Sequence, residues 1–317
     1  MAPALTRREL LLTLCAVATT ACARQGSTPP LGPSSSSGSA PGPGSGANAV
    51  AGVDAELAAI EATFGGRLGV FALDTGSGRT LGRRADERFA MCSTFKWVAA
   101  AAVLARVDRG ELSLGQRVPF GQADLLEHAP VAREHLGEGA LTVETAARAV
   151  LTVSDNTAAN LLLAHVGGPA GLTAFARQAG DAVTRFDRTE LTLNSNDPGD
   201  PRDTTSPRAM VALMKAVLCG DVLRPASRQR LIDGLVACET GTKRLRAGLP
   251  RDWVVGDRTG TGENNACNDL AIAVPPGRAP VLVAAFMSEG RDEDDGTIHE
   301  GGQAAVGRLV ARELGRA

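Results

Sequence analysis

Between Val53 and Phe64 apolar side chains recur at helical spacing, and between Arg67 and Asp74 they alternate, so a helix leading into a half-buried strand is predicted. Gly76-Ser77-Gly78 then turns the chain. A second strand follows, over Thr80 to Leu81 and again from Arg88 to Ala90. The period then becomes helical for a long stretch: Phe95 to Val107, Thr142 to Ser154, Thr157 to His165, Leu172 to Ala179, Ser206 to Leu218 and Ser227 to Cys238. It switches back at Trp253 to Arg258, Asp269 to Val274 and Val281 to Ser288, three strands, and closes on a helix from Gln303 to Leu314. Early and late segments together predict an α/β chain of the α+β type: a helix-flanked five-stranded antiparallel sheet with an all-helical lobe inserted. The sheet lobe spans about 50–91 and 240–317 and the helical lobe about 92–239, which places a ligand site at their junction. No internal repeat is visible.

Composition narrows the function classes. A formal charge of -2 over 317 residues and a pI near 6.1, with arginines scattered among acids, give no basis for nucleic-acid binding. His128, His135, His165 and His299 show no metal-ligand spacing and no Cys-x-x-Cys occurs, so neither metal nor cofactor is expected. The chain is expected to act as a monomer on a small molecule.

The first 23 residues read as an export signal: Arg7-Arg8, an apolar run from Leu10 to Ala18 too short to span a membrane, and the small residues Ala21-Cys22-Ala23. The paired arginines fit a twin-arginine signal or a general one. Cys22 could carry a lipid anchor, with the Pro/Ser/Gly-rich segment 24–49 as its tether; the alternative is cleavage after Ala23. An exported protein is periplasmic or extracellular. Export also permits disulfides among Cys92, Cys219, Cys238 and Cys267, which spacing cannot assign. Cys92 reads as a small buried residue.

Ser93-Thr94-Phe95-Lys96 sets a hydroxyl and an amine on one helical face. Lysines are scarce here, with only Lys96, Lys215 and Lys243 in a chain otherwise rich in arginine. A desolvated lysine can give up a proton and activate a serine, which arginine cannot do. Ser154-Asp155-Asn156, Glu190-Leu191-Thr192-Leu193-Asn194 and Arg258-Thr259-Gly260-Thr261 follow in order. With Ser93 and Lys96 this set resembles the class A serine β-lactamases, over about residues 50–317.

The resemblance implies hydrolysis of the β-lactam amide through an acyl-serine, and hence β-lactam resistance. It makes Ser93 the nucleophile, with its own N–H and that of Thr261 as the oxyanion hole. Lys96 would take or relay the serine proton and Ser154 would pass one to the departing nitrogen. Glu190, with Asn194, would activate the deacylating water, leaving the acylation base open between Lys96 and Glu190. Asn156 would hold the acylamino carbonyl, Asp155 would bond buried amides, and Arg188 with Asp203 would clamp the Glu190 loop. Arg246 would bind the substrate carboxylate, beside Arg258 and Thr259, and His128 would stand at the cleft entrance. Arg258 replaces the family's usual lysine, an exchange that points towards penicillins. The disulfide that some members form from the cysteine before the nucleophile is not expected, since its partner position is Gly262. A D,D-peptidase shares the serine and lysine but lacks the Glu190–Asn194 pair, and a non-hydrolytic β-lactam sensor would carry a transmembrane segment. Class C enzymes need a tyrosine, and this chain has none.

Overall fold

A computed structural model describes residues 45–292 and 296–315; the export signal, Cys22 and nearly all of the expected linker lie outside them. The helix α1 spans Ser45–Phe64, starting eight residues before the predicted Val53. The strands β1 (Arg67–Asp74) and β2 (Thr80–Arg83) form an antiparallel hairpin, Leu73 facing Thr80. Residues 88–90 do not extend β2. Arg84 adopts a left-handed backbone (φ 45°) that breaks the strand, and β3 (Phe89–Ala90) pairs instead with a distant dipeptide, Thr204–Thr205.

The 3₁₀ turn Cys92–Phe95 leads directly into α2 (Lys96–Asp108), whose residues from Lys96 to Ala105 are all buried. A helix apolar on every side belongs in a core, and α2 is the axis of the helical lobe. Around it stand α3 (Pro130–Glu134), α4 (Val143–Thr152), α5 (Asn156–His165) and α6 (Gly168–Gln178), with a short β4–β5 ladder (Arg117–Pro119 and Ala140–Thr142) that the sequence did not signal. The lobe also holds β6 (Thr204–Thr205), α7 (Pro207–Met214) and α8 (Pro225–Val236). Three of these helices begin with a side-chain cap: Thr142 Oγ1 accepts from Thr145 N, Asp155 Oδ1 from Ala158 N, and Ser206 Oγ from Ala209 N.

The chain returns to the sheet through α9 (Leu245–Gly248), β7 (Val254–Gly262), β8 (Ala266–Val274), β9 (Val281–Ser288) and α10 (Thr297–Leu314). The main sheet has five strands in the order β2-β1-β9-β8-β7, paired antiparallel throughout. Every residue of β8 and β9 is buried because both faces are covered. Leu68, Val70 and Ala72 pack with Leu57, Phe64, Val306 and Leu309 of α1 and α10, while Phe71, Ile272 and Phe286 face the helical lobe. At one end of the sheet, β7 has an open edge. It runs four residues past the predicted Arg258, so Thr259, Gly260 and Thr261 lie on the strand itself.

Candidate functional site

The site forms where the β7 edge meets the turn that carries Ser93. Two glycines permit the approach: a Cβ at Gly260 would lie 2.7 Å from Met91 O, and one at Gly262 would lie 2.6 Å from Cys92 Sγ. Cys92 holds a left-handed backbone (φ 47°) and directs Ser93 to the start of α2, where the helix end favours negative charge. Asn268 on β8 fixes the segment before it, donating to Ala90 O and Met91 O at 2.9 and 3.2 Å.

Lys96, fully buried one turn beyond Ser93, sits at the centre. Its Nζ lies 3.0 Å from Ser93 Oγ, 3.0 Å from Ser154 Oγ, 2.8 Å from Ser154 O and 2.8 Å from Glu190 Oε1, and it also contacts Asn156 Oδ1. An ammonium has three protons and faces five oxygens, so its hydrogen bonds must be shared and exchanged. Burial pulls the Lys96 pKa down to about 8, against the opposing pull of Glu190. Ser93 Oγ also donates to Glu190 Oε1 at 3.1 Å, and Asn194 Nδ2 donates to the other carboxylate oxygen at 2.7 Å. The serine proton therefore has an amine and a carboxylate within reach.

Ser154 is presented by a left-handed backbone (φ 63°), and Asn156 Nδ2 donates to Glu127 O at 2.8 Å. Asp155 is fully buried and accepts from the amides of Ala132 (2.9 Å) and Ala158 (2.8 Å). Glu190 stands on a loop closed at its base by Arg188, whose Nε donates to Asp203 Oδ2 at 2.6 Å while Nη1 donates to Ser195 Oγ at 2.8 Å. The peptide bond after Glu190 is cis. Exposed His128 bonds Val153 O through Nε2 at 2.8 Å, and its own carbonyl accepts from Asn156 N.

The assignment of Arg246 to the cleft is corrected by the structure. Its guanidinium is held by Asp257 at 2.6 Å and faces a separate cavity of about 590 Å³ lined by Val236, Leu249, Trp253 and Val255. Arg244 is the cation on the cleft side, donating to Thr261 Oγ1 at 2.7 Å, Gly260 O at 3.0 Å and Asn268 O at 2.8 Å. Arg258 is also buried, and burial lowers its pKa. Its Nη1 donates to Thr240 Oγ1 at 3.2 Å, and Thr240 Oγ1 lies 2.6 Å from Thr259 Oγ1.

Sequence reasoning missed Arg244, Thr240 and Asn160. Asn160 clamps the Glu190 peptide from both sides, Nδ2 to Glu190 O at 2.9 Å and Glu190 N to Oδ1 at 3.0 Å. Its one signal was the four-residue spacing from Asn156, which puts both on one face of α5.

The sequence profile of the Beta-lactamase enzyme family matches residues 52–310. The chain is similar to beta-lactamase L2 of Stenotrophomonas maltophilia, 50% identical over 82% of this chain and 85% of the relative, and to beta-lactamase AST-1 of Nocardia asteroides, 46% identical over 83% and 84%. Among solved structures it resembles the class A beta-lactamase of the last common ancestor of Gram-negative bacteria. That likeness has a TM-score of 0.80 and 55% identity, covering 83% of this chain and 99% of that one.

Proposed function

Because this chain belongs to the β-lactamase family as a class A member and hydrolyses the β-lactam amide bond, we propose the following division of labour among its residues. Ser93 Oγ attacks the lactam carbonyl and becomes acylated, its proton leaving to Lys96 Nζ or Glu190 Oε1, both about one hydrogen bond away. The amides of Ser93 and Thr261 receive the developing oxyanion, a reading supported by the close seam between β7 and the Ser93 turn. Ser154 Oγ, bonded to Lys96, passes a proton to the departing ring nitrogen. Water then attacks the ester with Glu190 as its base and Asn194 as its second anchor. Asn156 holds the acylamino carbonyl. Arg244, Arg258 and Thr259 gather the substrate carboxylate. Asp155, Arg188 and Asp203 hold these groups in position.

The observation that carries this reading is the position of Lys96 Nζ between Ser93 Oγ, Ser154 Oγ and Glu190 Oε1. Mixing the protein with a penicillin and mapping the transient adduct by mass spectrometry tests it. A mass gain equal to the intact drug on the Ser93 peptide is expected, and an adduct on any other residue would displace Ser93 from its role. Turnover of one penicillin, one cephalosporin and one carbapenem then sets the spectrum. Arg258 supports penicillins as the preferred class.

We further propose that the chain is exported, with Cys22 as a lipid anchor or with cleavage after Ala23, and acts as a monomer. Support for export comes from Arg7-Arg8 with the apolar run behind them. The mass of the mature N-terminus and size-exclusion chromatography decide these points; an intact Met1 in exporting cells would end the export reading.

A further inference from the structure

We infer that Asn196 is a positioning residue for deacylation, holding the far end of the Glu190 loop against the hairpin between β7 and β8. The inference rests on the role proposed above for Glu190. Asn196 stands two residues beyond Asn194 with a left-handed backbone (φ 50°), a conformation asparagine tolerates better than most residues. Its Nδ2 donates to Glu263 O at 3.0 Å and to Ser288 Oγ at 3.0 Å. Asn264 returns the contact, its Nδ2 donating to Asn196 O at 2.9 Å. Asn264 is left-handed too (φ 50°), and Glu289 N donates to its carbonyl at 2.8 Å. The loop, the hairpin and the end of β9 are thus tied at one point.

The tie reaches the chemistry through backbone. Glu263 N donates to Asn194 O at 2.9 Å, and Asn194 Nδ2 donates to Glu190 Oε2 at 2.7 Å. Asn194 is therefore held from the hairpin side, and it orients the carboxylate oxygen that does not face Ser93. The Arg188–Asp203 pair fixes the base of the loop, so Asn196 governs its other end. Ser93, Lys96 and Ser154 are joined to one another through Lys96, and Thr261 is held by Arg244, so loosening this tie should spare acylation that runs through Lys96.

Two replacements separate the tie from general stability. Asn196→Gly keeps the left-handed backbone and removes the amide. Asn196→Asp keeps the shape but presents an oxygen where Nδ2 now donates, against the Glu263 carbonyl. With benzylpenicillin, both should lower kcat and KM together by about tenfold while kcat/KM stays within about twofold, and the acyl-enzyme should become visible by mass spectrometry. Asn264→Gly, acting on the same tie, should shift the same parameters less and should not add to Asn196→Gly. Thermal melts confirm that the variants are folded. Wild-type kcat in folded variants, or a fall in kcat/KM parallel to kcat, overturns the inference. Glu190→Ala run alongside distinguishes the two readings. If it accumulates acyl-enzyme while the Asn196 and Asn264 variants do not, only the positioning role fails; if it turns over at the wild-type rate, the Glu190 role fails and this inference with it.

Discussion

Two ion pairs anchor the segment that carries Glu190, one wholly buried at Glu190 itself and one part-buried two residues earlier at Arg188, and they are built differently. Lys96–Glu190 spans 2.8 Å with both side chains wholly buried, and its lysine faces more oxygens than it has protons. Arg188–Asp203 spans 2.6 Å, and Asp203 Oδ1 also accepts from the backbone amides of Asp187 and Arg188. In the first pair the proton is mobile, because burial has brought the amine near its neutral form. In the second the planar guanidinium bonds Asp203 and Ser195 at once and serves as a bracket. A charge pair can thus serve reactivity or rigidity, and the cation present decides which.

Removing the reactive carboxylate should have the largest effect. Glu190→Ala should lose about a hundredfold to ten-thousandfold in deacylation, with the intact drug retained on Ser93 after an initial burst. The same variant tests proton mobility. Glu190 raises the Lys96 pKa, so without it that value should fall below about 8. Stopped-flow acylation in Glu190→Ala should therefore rise with pH as Lys96 loses its proton, with its midpoint below about pH 8. A pH-independent rate would remove Lys96 as the proton acceptor.

A second contrast pits Arg244 against Arg246. Losing a charge-assisted hydrogen bond to the substrate carboxylate costs on the order of 1.5–3 kcal/mol, so Arg244→Ala should lower kcat/KM for penicillins roughly tenfold to a hundredfold. Arg246→Ala should instead lower thermal stability, because it strands Asp257. Equal kinetic losses in the two variants would place both arginines at the substrate carboxylate.

Breaking the bracket should show mainly in stability. Arg188→Ala leaves Asp203 without its guanidinium and should cost about 3 kcal/mol, roughly 10 °C in Tm. Arg188→Lys should recover only part, since one ammonium cannot reproduce the fork to both Asp203 and Ser195. Full recovery would mean that charge alone closes the loop. The smallest change is expected for Arg258→Lys, which keeps the positive charge beside Thr240 and should alter penicillin kcat/KM by about threefold or less.

Much of this was legible in the chain. The periods of two and near four separated sheet from helical lobe, and the four motifs gathered where the lobes meet. Boundaries failed where local backbone overrode propensity, as at Arg84, and where glycines belonged to a strand, as at Gly260 and Gly262. Arg244 and Arg246 could not be told apart, because residues two apart in a helical turn point to different sides and only packing decides which side faces β7. Asn160 and Asn268 act on backbone groups distant in sequence, and no local spacing announces such a partner.

Cys92 carries a further consequence. It is a free thiol beside the nucleophile, fully buried, with burial pushing its pKa up to about 12, so in the native state it is chemically silent. A maleimide can reach it only when the seam between β7 and the Ser93 turn comes apart. Its labelling rate is then a clock for native-state opening at the catalytic seam, readable without a drug. A ligand that closes the cleft should slow that clock, so occupancy of the site could be timed independently of hydrolysis.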